Sequence, residues 1–114
     1  MATIILQLDP ARLSNPNLDI RYALPDLLIK RSDGRLTDDG YDYVNAGARS
    51  PCMLLFLQTD DAASVVPNII DVLLSERVFG NDLSDVPVAI EDGENFQVVH
   101  PVNFAGVFHR SDRI

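Results

Sequence analysis

The apolar positions of the chain follow two periods, and together they predict alternating strands and helices. Residues 53–58 (MLLFLQ) are almost wholly apolar and predict a strand buried on both faces. Directly after it, apolar residues recur at spacings of three and four from Ala62 to Leu74, which predicts an amphipathic helix that covers the strand. Pro67 allows either a kink in this helix or a regular helix that starts near the proline.

The remaining elements follow from strand-forming residues and turn-forming residues. The residues from Asp19 allow a turn of helix, with Ile20 and Tyr22 available to pack. The main first helix is predicted from about Pro25 to Arg31, because proline suits the first helical position and Gly34 suits the end. A bulge or tight turn is expected where Asp38-Asp39-Gly40 interrupts the second strand. The other predicted strands are Thr3–Leu8, Arg35–Tyr43, Val86–Ile90, Phe96–Val99 after a turn at Glu91–Asn95, and Val102–Phe108.

This order predicts one α+β domain over residues 1–114. Strand, helix, strand, strand, helix, strand is the order of the ferredoxin-like βαββαβ sandwich, an antiparallel sheet with two helices on one face. A short β extension follows at the C-terminus. Right-handed crossovers place the strand Met53–Gln58 beside Thr3–Leu8 at the sheet centre.

Composition and charge narrow the classes of function. The 114 residues are 46% hydrophobic and include one cysteine, which excludes an internal disulfide and favours a reducing compartment. Without a signal-like N-terminus or a long apolar run, we expect a cytoplasmic protein. Its net charge is −8, and thirteen acidic residues stand against three basic ones between Asp33 and Glu94. This balance disfavours nucleic acid and anionic membranes as partners and favours a basic protein.

The densest candidate site is the run from Asp38 to Tyr43, in which Asp38, Asp39 and Asp42 accompany Tyr41 and Tyr43. Tyr41 and Tyr43 alternate with Asp42 and are expected on one face of the strand. Tyrosine beside acids is typical of a protein-binding surface. The same run is also compatible with a strand edge protected by charge, or with oxygen ligands for a hard cation. We predict partner binding here, with no metal and no cofactor.

Other acidic and nucleophilic residues are weaker candidates. Asp82 and Asp85, in the loop after the second helix, are expected to extend the acidic surface. Cys52, His100 and His109 match no zinc spacing and have no third residue to orient a nucleophile, so no catalytic residue is predicted.

Asp9 follows the first predicted strand, as in the small CRISPR-associated nucleases, which the chain resembles in outline. In that family an aspartate pair at the dimer interface holds a metal that activates water. The resemblance implies an alternative function, a metal-dependent hydrolase that uses Asp9 with Asp38 or Asp39.

In size, acidity and tyrosine–aspartate texture the whole chain resembles the bacterial immunity proteins that neutralise toxins, including those of contact-dependent inhibition systems. This resemblance rests on no motif. It implies a non-enzymatic protein that occludes a basic toxin domain. A self-associating regulatory domain is a further alternative, because a ferredoxin-like sheet leaves one face open.

Overall fold

The structure is a computed structural model that describes residues 2–44, 52–104 and 108. It is an α+β fold with a five-stranded antiparallel sheet and two helices. The helices are α1 (Ile20–Arg31) and α2 (Ala62–Ser75). The strands are β1 (Ala2–Leu8), β2 (Thr37–Val44), β3 (Cys52–Thr59), β4 (Arg77–Val78), β5 (Asn81–Asp82), β6 (Val88–Asp92) and β7 (Asn95–His100).

The main sheet has the strand order β2-β3-β1-β6-β7, and β4 and β5 form a separate hairpin. β1 lies at the centre, where it pairs with β3 from Ala2–Thr59 to Leu8–Met53 and with β6 on its other side. The prediction that Met53–Gln58 lies beside the first strand is therefore confirmed. β2 lies at one edge of the sheet.

Both helices pack on one face of the sheet, which we call the helix side. Alternate residues of β1 and β3 point to this face and form one apolar cluster with residues of α1 and α2. Its largest fully buried members are Ile4, Leu6, Leu8, Ile20, Leu24, Leu28, Met53, Leu55, Leu57, Ile69 and Leu73. The opposite face, which we call the far face, carries the remaining positions of the strands.

The prediction that α1 begins at Pro25 is wrong, because the helix begins at Ile20 and contains the proline. Ile20 and Leu24 are fully buried, so packing against the core stabilises a first turn that proline alone does not favour. α2 begins at Ala62 and also runs through its proline, Pro67. Its N-cap is Asp61, whose carboxylate accepts a hydrogen bond from the Ser64 amide at 3.3 Å.

Other differences from the predictions lie after α2. The β4–β5 hairpin was not predicted from the sequence, and in its turn Phe79 (φ 53°) and Gly80 (φ 77°) both have positive φ. Such a two-residue turn matches the twist of paired strands. The Val86–Ile90 strand is shifted to Val88–Asp92, so Asp92 pairs with Asn95 and the turn narrows to Gly93 and Glu94.

The last predicted strand, Val102–Phe108, is only partly within the described residues. At its start, the Phe104 amide bonds to the Pro101 carbonyl at 3.1 Å and closes a turn. The turn-forming residues Asn45–Pro51 predict a connection between the second and third strands, and they lie outside the described residues.

Candidate functional site

The backbone of β2 divides the predicted site residues between the two faces of the sheet. Tyr41 and Tyr43 are the cross-strand partners of Leu55 and Met53, which belong to the helix-side core. Both tyrosines therefore point to the helix side, as their alternation predicted. Asp42 lies between them and points to the far face.

A bulge at Asp39 and Gly40 interrupts the pairing of β2 with β3. The pairing register shifts between Asp38 and Tyr41, and Gly40 takes φ 87° there. Asp38 pairs with a helix-side residue of β3, and its carboxylate accepts a hydrogen bond from the Gly40 amide at 2.8 Å. The Asp39 carboxylate instead accepts a hydrogen bond at 2.8 Å from Gln58 Nε2, on the far face. The five residues of the predicted site thus form two surfaces that meet at the sheet edge.

On the helix side the tyrosines form a chain of edge-to-face rings. Tyr22, from the first turn of α1, lies with its ring centroid 6.0 Å from that of Tyr41, and Tyr41 lies 5.7 Å from Tyr43. Both separations are within the favourable range for aromatic pairs. These are the three tyrosines of the chain, which has no tryptophan. All tyrosine absorbance and fluorescence therefore come from this one surface.

Arg21 joins these rings into what we call the tyrosine cluster: Arg21, Tyr22, Tyr41 and Tyr43. Its guanidinium carbon lies 4.9 Å from the Tyr22 ring centroid and 5.1 Å from that of Tyr41, which is cation–π geometry. One guanidinium nitrogen donates a hydrogen bond to the Tyr43 hydroxyl at 2.9 Å. Sequence reasoning missed Arg21 and Tyr22 as site residues, because it made Tyr22 available for packing in a helical turn from Asp19, whereas the side chain is 52% exposed.

These contacts shift the acidities of the cluster. The side chain of Tyr22, and then that of Tyr43, raise the pKa of Arg21 above its ordinary value. In return, the Arg21 guanidinium lowers the pKa of the Tyr22 hydroxyl, because it stabilises the phenolate. The pKa of Tyr41 is raised, first through its hydrogen bond with Tyr22. The cluster is thus one connected polar network rather than four independent side chains.

Beside the cluster lies an open depression of about 620 Å³, which we call the acidic depression. Its lining combines three carboxylates with aromatic and aliphatic side chains: Asp19, Tyr22, Ala23, Asp26, Ile29, Asp38 and Phe79. Among these carboxylates, Asp26 forms an exposed ion pair with Lys30 at 3.2 Å. Tyr22 and Phe79 are 52% and 41% exposed, so two aromatic side chains border the depression together with the acids.

Asp82 and Asp85 do not line this depression. The Asp85 carboxylate forms an ion pair with Arg12 at 3.1 Å, which offsets its charge. Asp82 accepts a hydrogen bond from the Ser84 amide at 3.0 Å, and this bond lowers the pKa of its carboxyl group. Phe79, in the turn of the β4–β5 hairpin, does line the depression.

The residues proposed for metal chemistry are not brought together. Asp9 directly follows Leu8, which pairs with Met53 near one end of β3. Asp38 pairs with Leu57 near the other end. Met53 and Leu57 are four residue steps apart along the strand, which is about 13 Å. The Asp9 carboxylate accepts a hydrogen bond from the Ala11 amide at 3.0 Å and caps a single helical turn. Within residues 2–44, 52–104 and 108, no group of three metal-binding side chains occurs.

Cys52 and His100 are both buried in the fold. Cys52 is buried, and this burial raises the pKa of its thiol. His100 is also buried, with its ring Nε2 2.7 Å from the Ser84 carbonyl oxygen. His109 lies outside the described residues.

Comparison with known proteins gives no relative to this chain. No family model, no curated protein and no solved structure matches it. Across the described ranges, neither helix has the length and apolar character required to cross a membrane.

Proposed function

We propose that the chain is a non-enzymatic binding protein that presents the tyrosine cluster and the acidic depression to a basic protein. The observation that supports this proposal is the gathering of exposed aromatic side chains and carboxylates at one sheet edge. Tyr22, Tyr41, Tyr43 and Phe79 are each 39–52% exposed, although side chains of this kind are usually more deeply buried. Asp19, Asp26 and Asp38 adjoin them.

The two kinds of side chain have complementary roles in this proposal. Tyrosine offers a large contact area and has few torsions to immobilise, which suits it to the centre of an interface. The carboxylates, on a chain of net charge −8, attract a basic partner and accelerate encounter with it. The partner's lysines and arginines then pair with Asp19 and Asp38, whose lining positions leave them accessible from the depression.

Arg21 prepares this surface before the partner arrives. Its contacts with three tyrosines hold their rings in one arrangement in the free protein. Immobilising a flexible side chain at an interface costs about 0.5–1.5 kcal/mol, and a preorganised ring avoids part of that cost. Arg21 also places one positive charge inside an otherwise acidic surface, so the approaching cations are directed to the depression rather than onto the rings.

The fold is consistent with a specific architecture, which we propose as well. The strands β2, β3, β1 and β6 stand in the order expected of a ferredoxin-like sandwich, and both helices lie on one face. β7 adds a fifth strand beyond β6. We propose an immunity role from the size, acidity and tyrosine–aspartate content of the chain, and this role predicts a toxin domain as the basic partner. The proposed cytoplasmic location follows from the N-terminal sequence and the lack of a long apolar run in the sequence.

The test uses three double variants that change the net charge equally. Asp19→Lys with Asp38→Lys alters the depression, and Asp39→Lys with Asp42→Lys alters the far-face half of the same strand. A matched control reverses two exposed acids elsewhere, Asp71 on α2 and Glu94 at the hairpin tip. The ligand is a basic protein recovered with this chain in a pull-down from the native host, and its association rate is measured against salt concentration.

We expect the depression variant to slow association about tenfold at low salt and to weaken the salt dependence, beyond the control. Equal slowing by all three variants would show that only the overall charge matters. Slowing by the Asp39 and Asp42 variant alone would move the interface to the far face. Unchanged rates with all three would overturn the proposal.

A further inference from the structure

The acidic depression runs along one side of α1, where carboxylates alternate with aromatic and aliphatic side chains. Its lining residues on α1 and at the N-cap recur at spacings of three and four, so they lie on one side of the helix. They are Asp19, Tyr22, Ala23, Asp26 and Ile29. The two aspartates are two helical turns apart, about 10 Å, with Tyr22 and Ala23 between them. A ligand in the depression therefore meets an apolar surface between two negative charges.

Two of the three carboxylates in this lining have no cation beside them. Asp26 pairs with Lys30, but within the described residues neither Asp19 nor Asp38 forms an ion pair. Asp19 occupies the N-cap position of α1, yet no described amide of that helix bonds to its carboxylate. At the same position of α2, the Asp61 carboxylate does cap its helix. The local fold therefore does not account for the carboxylate of Asp19, which suits it to a cationic ligand.

Phe79 borders the same depression from the β4–β5 hairpin, and the hairpin itself gives no reason for a phenylalanine there. Its φ of 53° lies in the left-handed region, which asparagine and glycine adopt more readily than a bulky residue. The side chain is 41% exposed, so burial in the core does not compensate for this conformation. Asn81 fixes the hairpin, because its side chain bonds at 2.8 Å to both the amide and the carbonyl of Asn15. Phe79 is thus an exposed aromatic side chain on a fixed support, which suits it to contact a ligand.

These features favour a guanidinium among the cations that a basic protein carries. A guanidinium is planar, stacks on aromatic rings and forms two parallel hydrogen bonds with a carboxylate, whereas the ammonium of lysine is compact and strongly hydrated. The adjoining tyrosine cluster already holds one guanidinium, with Arg21 4.9 Å from the Tyr22 ring centroid. Arg21 itself does not line the depression, and the described residues that line it include acids but no bases. A volume of about 620 Å³ accommodates an arginine side chain together with parts of its neighbours.

We propose that the acidic depression binds an arginine side chain of the basic partner, with its guanidinium against Tyr22 and Phe79 and paired with Asp19 and Asp38. This inference rests on the function proposed above and names the residue of the partner that enters the surface. Charge complementarity identifies the occupant as a cation, and the aromatic side chains select arginine over lysine. Arginine and tyrosine are also among the residues that carry most of the binding energy in protein interfaces.

The probes are three tripeptides with capped ends, in which arginine, lysine or citrulline stands between two alanines. Citrulline has nearly the shape of arginine without its charge, and the capped ends leave the central side chain as the only charge of a probe. Binding to the full chain is measured by nuclear magnetic resonance titration, which detects weak complexes. We expect the arginine tripeptide to bind about tenfold more tightly than the lysine tripeptide, and the citrulline tripeptide to show no binding.

Phe79→Asn tests the aromatic contact. Asparagine tolerates a positive φ, so this variant should melt at the wild-type temperature or above, while its affinity for the arginine tripeptide falls about tenfold. A purely structural role for Phe79 would instead lower the melting temperature. Leu74→Gln is the matched control, because Leu74 is an apolar side chain on α2 that is 60% exposed. It should bind the arginine tripeptide as the wild type does.

Asp19→Asn with Asp38→Asn tests the two carboxylates. The amides keep the size of the side chains and remove the charges, so the affinity for the arginine tripeptide should fall about tenfold. Asp71→Asn with Glu94→Gln changes the net charge equally at two exposed positions elsewhere. Because salt screens distant charges, this control should keep the affinity within about twofold of the wild type.

Equal affinities for the arginine and lysine tripeptides, or an unchanged affinity in the Phe79→Asn chain, would overturn the proposal. Should that variant not fold, Phe79→Leu replaces it, because leucine keeps an apolar side chain and lacks the aromatic face. An undiminished affinity of the leucine variant for arginine would overturn the proposal equally.

The function proposed above fails in a different way. If the arginine tripeptide binds selectively but reversing Asp19 and Asp38 does not slow the partner, the arginine site stands and the partner-binding role is wrong. If the reversal slows the partner but the tripeptides bind without selectivity, the partner-binding role stands and the arginine site is wrong.

Discussion

Replacing Leu54 with alanine should destabilise the protein about as much as replacing its neighbour Leu55. The two leucines are adjacent on β3, both are 0% exposed, and they point to opposite faces of the sheet. Each replacement removes roughly three carbons, worth about 2.4 kcal/mol of transfer free energy at 0.8 kcal/mol per carbon. The remaining cavity adds to this value, and the usual total for a buried leucine is about 3–5 kcal/mol.

Urea denaturation followed by tyrosine fluorescence measures both variants. With a slope of about 1.5 kcal/mol per molar urea for a domain of this size, each midpoint should fall by about 2 M or more. The comparison separates two views of the far face. If that face is open in solution, Leu54→Ala should cost less than about 1 kcal/mol, while Leu55→Ala keeps its full cost. Such an asymmetry would refute the idea that the far face is a second buried core.

Two further predictions concern the helix side. Replacing Arg21 with methionine should raise the pKa of Tyr22 toward its ordinary value, because the guanidinium is the main cause of its lowering. In an alkaline titration of phenolate absorbance, to which only the tyrosines of the cluster contribute, ionisation would begin at higher pH. An unchanged curve would argue against the contact between Arg21 and Tyr22. Replacing Asp61 with alanine should lower the free energy of unfolding by about 1 kcal/mol through loss of the bond to the Ser64 amide, whereas asparagine there should retain most of it, as thermal melts can measure.

The sequence predicted the parts of this fold that depend on local pattern. The unbroken apolar run of β3 predicted a strand buried on both faces, and its burial confirms this. The three- and four-residue spacing after it predicted α2. By contrast, the sequence separated a turn from Asp19 from a main helix at Pro25, and the packing of Ile20 and Leu24 in the core joins the two into one helix through the proline. Tertiary packing outweighed the local preference.

The candidate site was also predicted only where it depends on local pattern. Strand alternation placed Tyr41 and Tyr43 on one side and puts the adjacent Asp38 and Asp39 on opposite sides, but only the bulge at Gly40 brings Asp38 to the side of Tyr41. No local sequence pattern indicates which of the residues 38–43 lie beside α1. The partner of the two tyrosines, Arg21, stands twenty residues before them, and only the packing of α1 against β2 brings it close.

The division of the carboxylates of β2 between two faces makes the proposed interface testable within a single strand. Asp38 is on the helix side, whereas Asp39 and Asp42 are on the far face. If the basic partner binds at the acidic depression, reversing Asp19 and Asp38 slows association, and reversing Asp39 and Asp42 slows it no more than the matched control does. The same change of net charge then has different effects on the two faces, because a charge accelerates encounter most when it lies beside the contact surface. Equal effects would show that the partner responds to the overall charge of the chain and not to the depression.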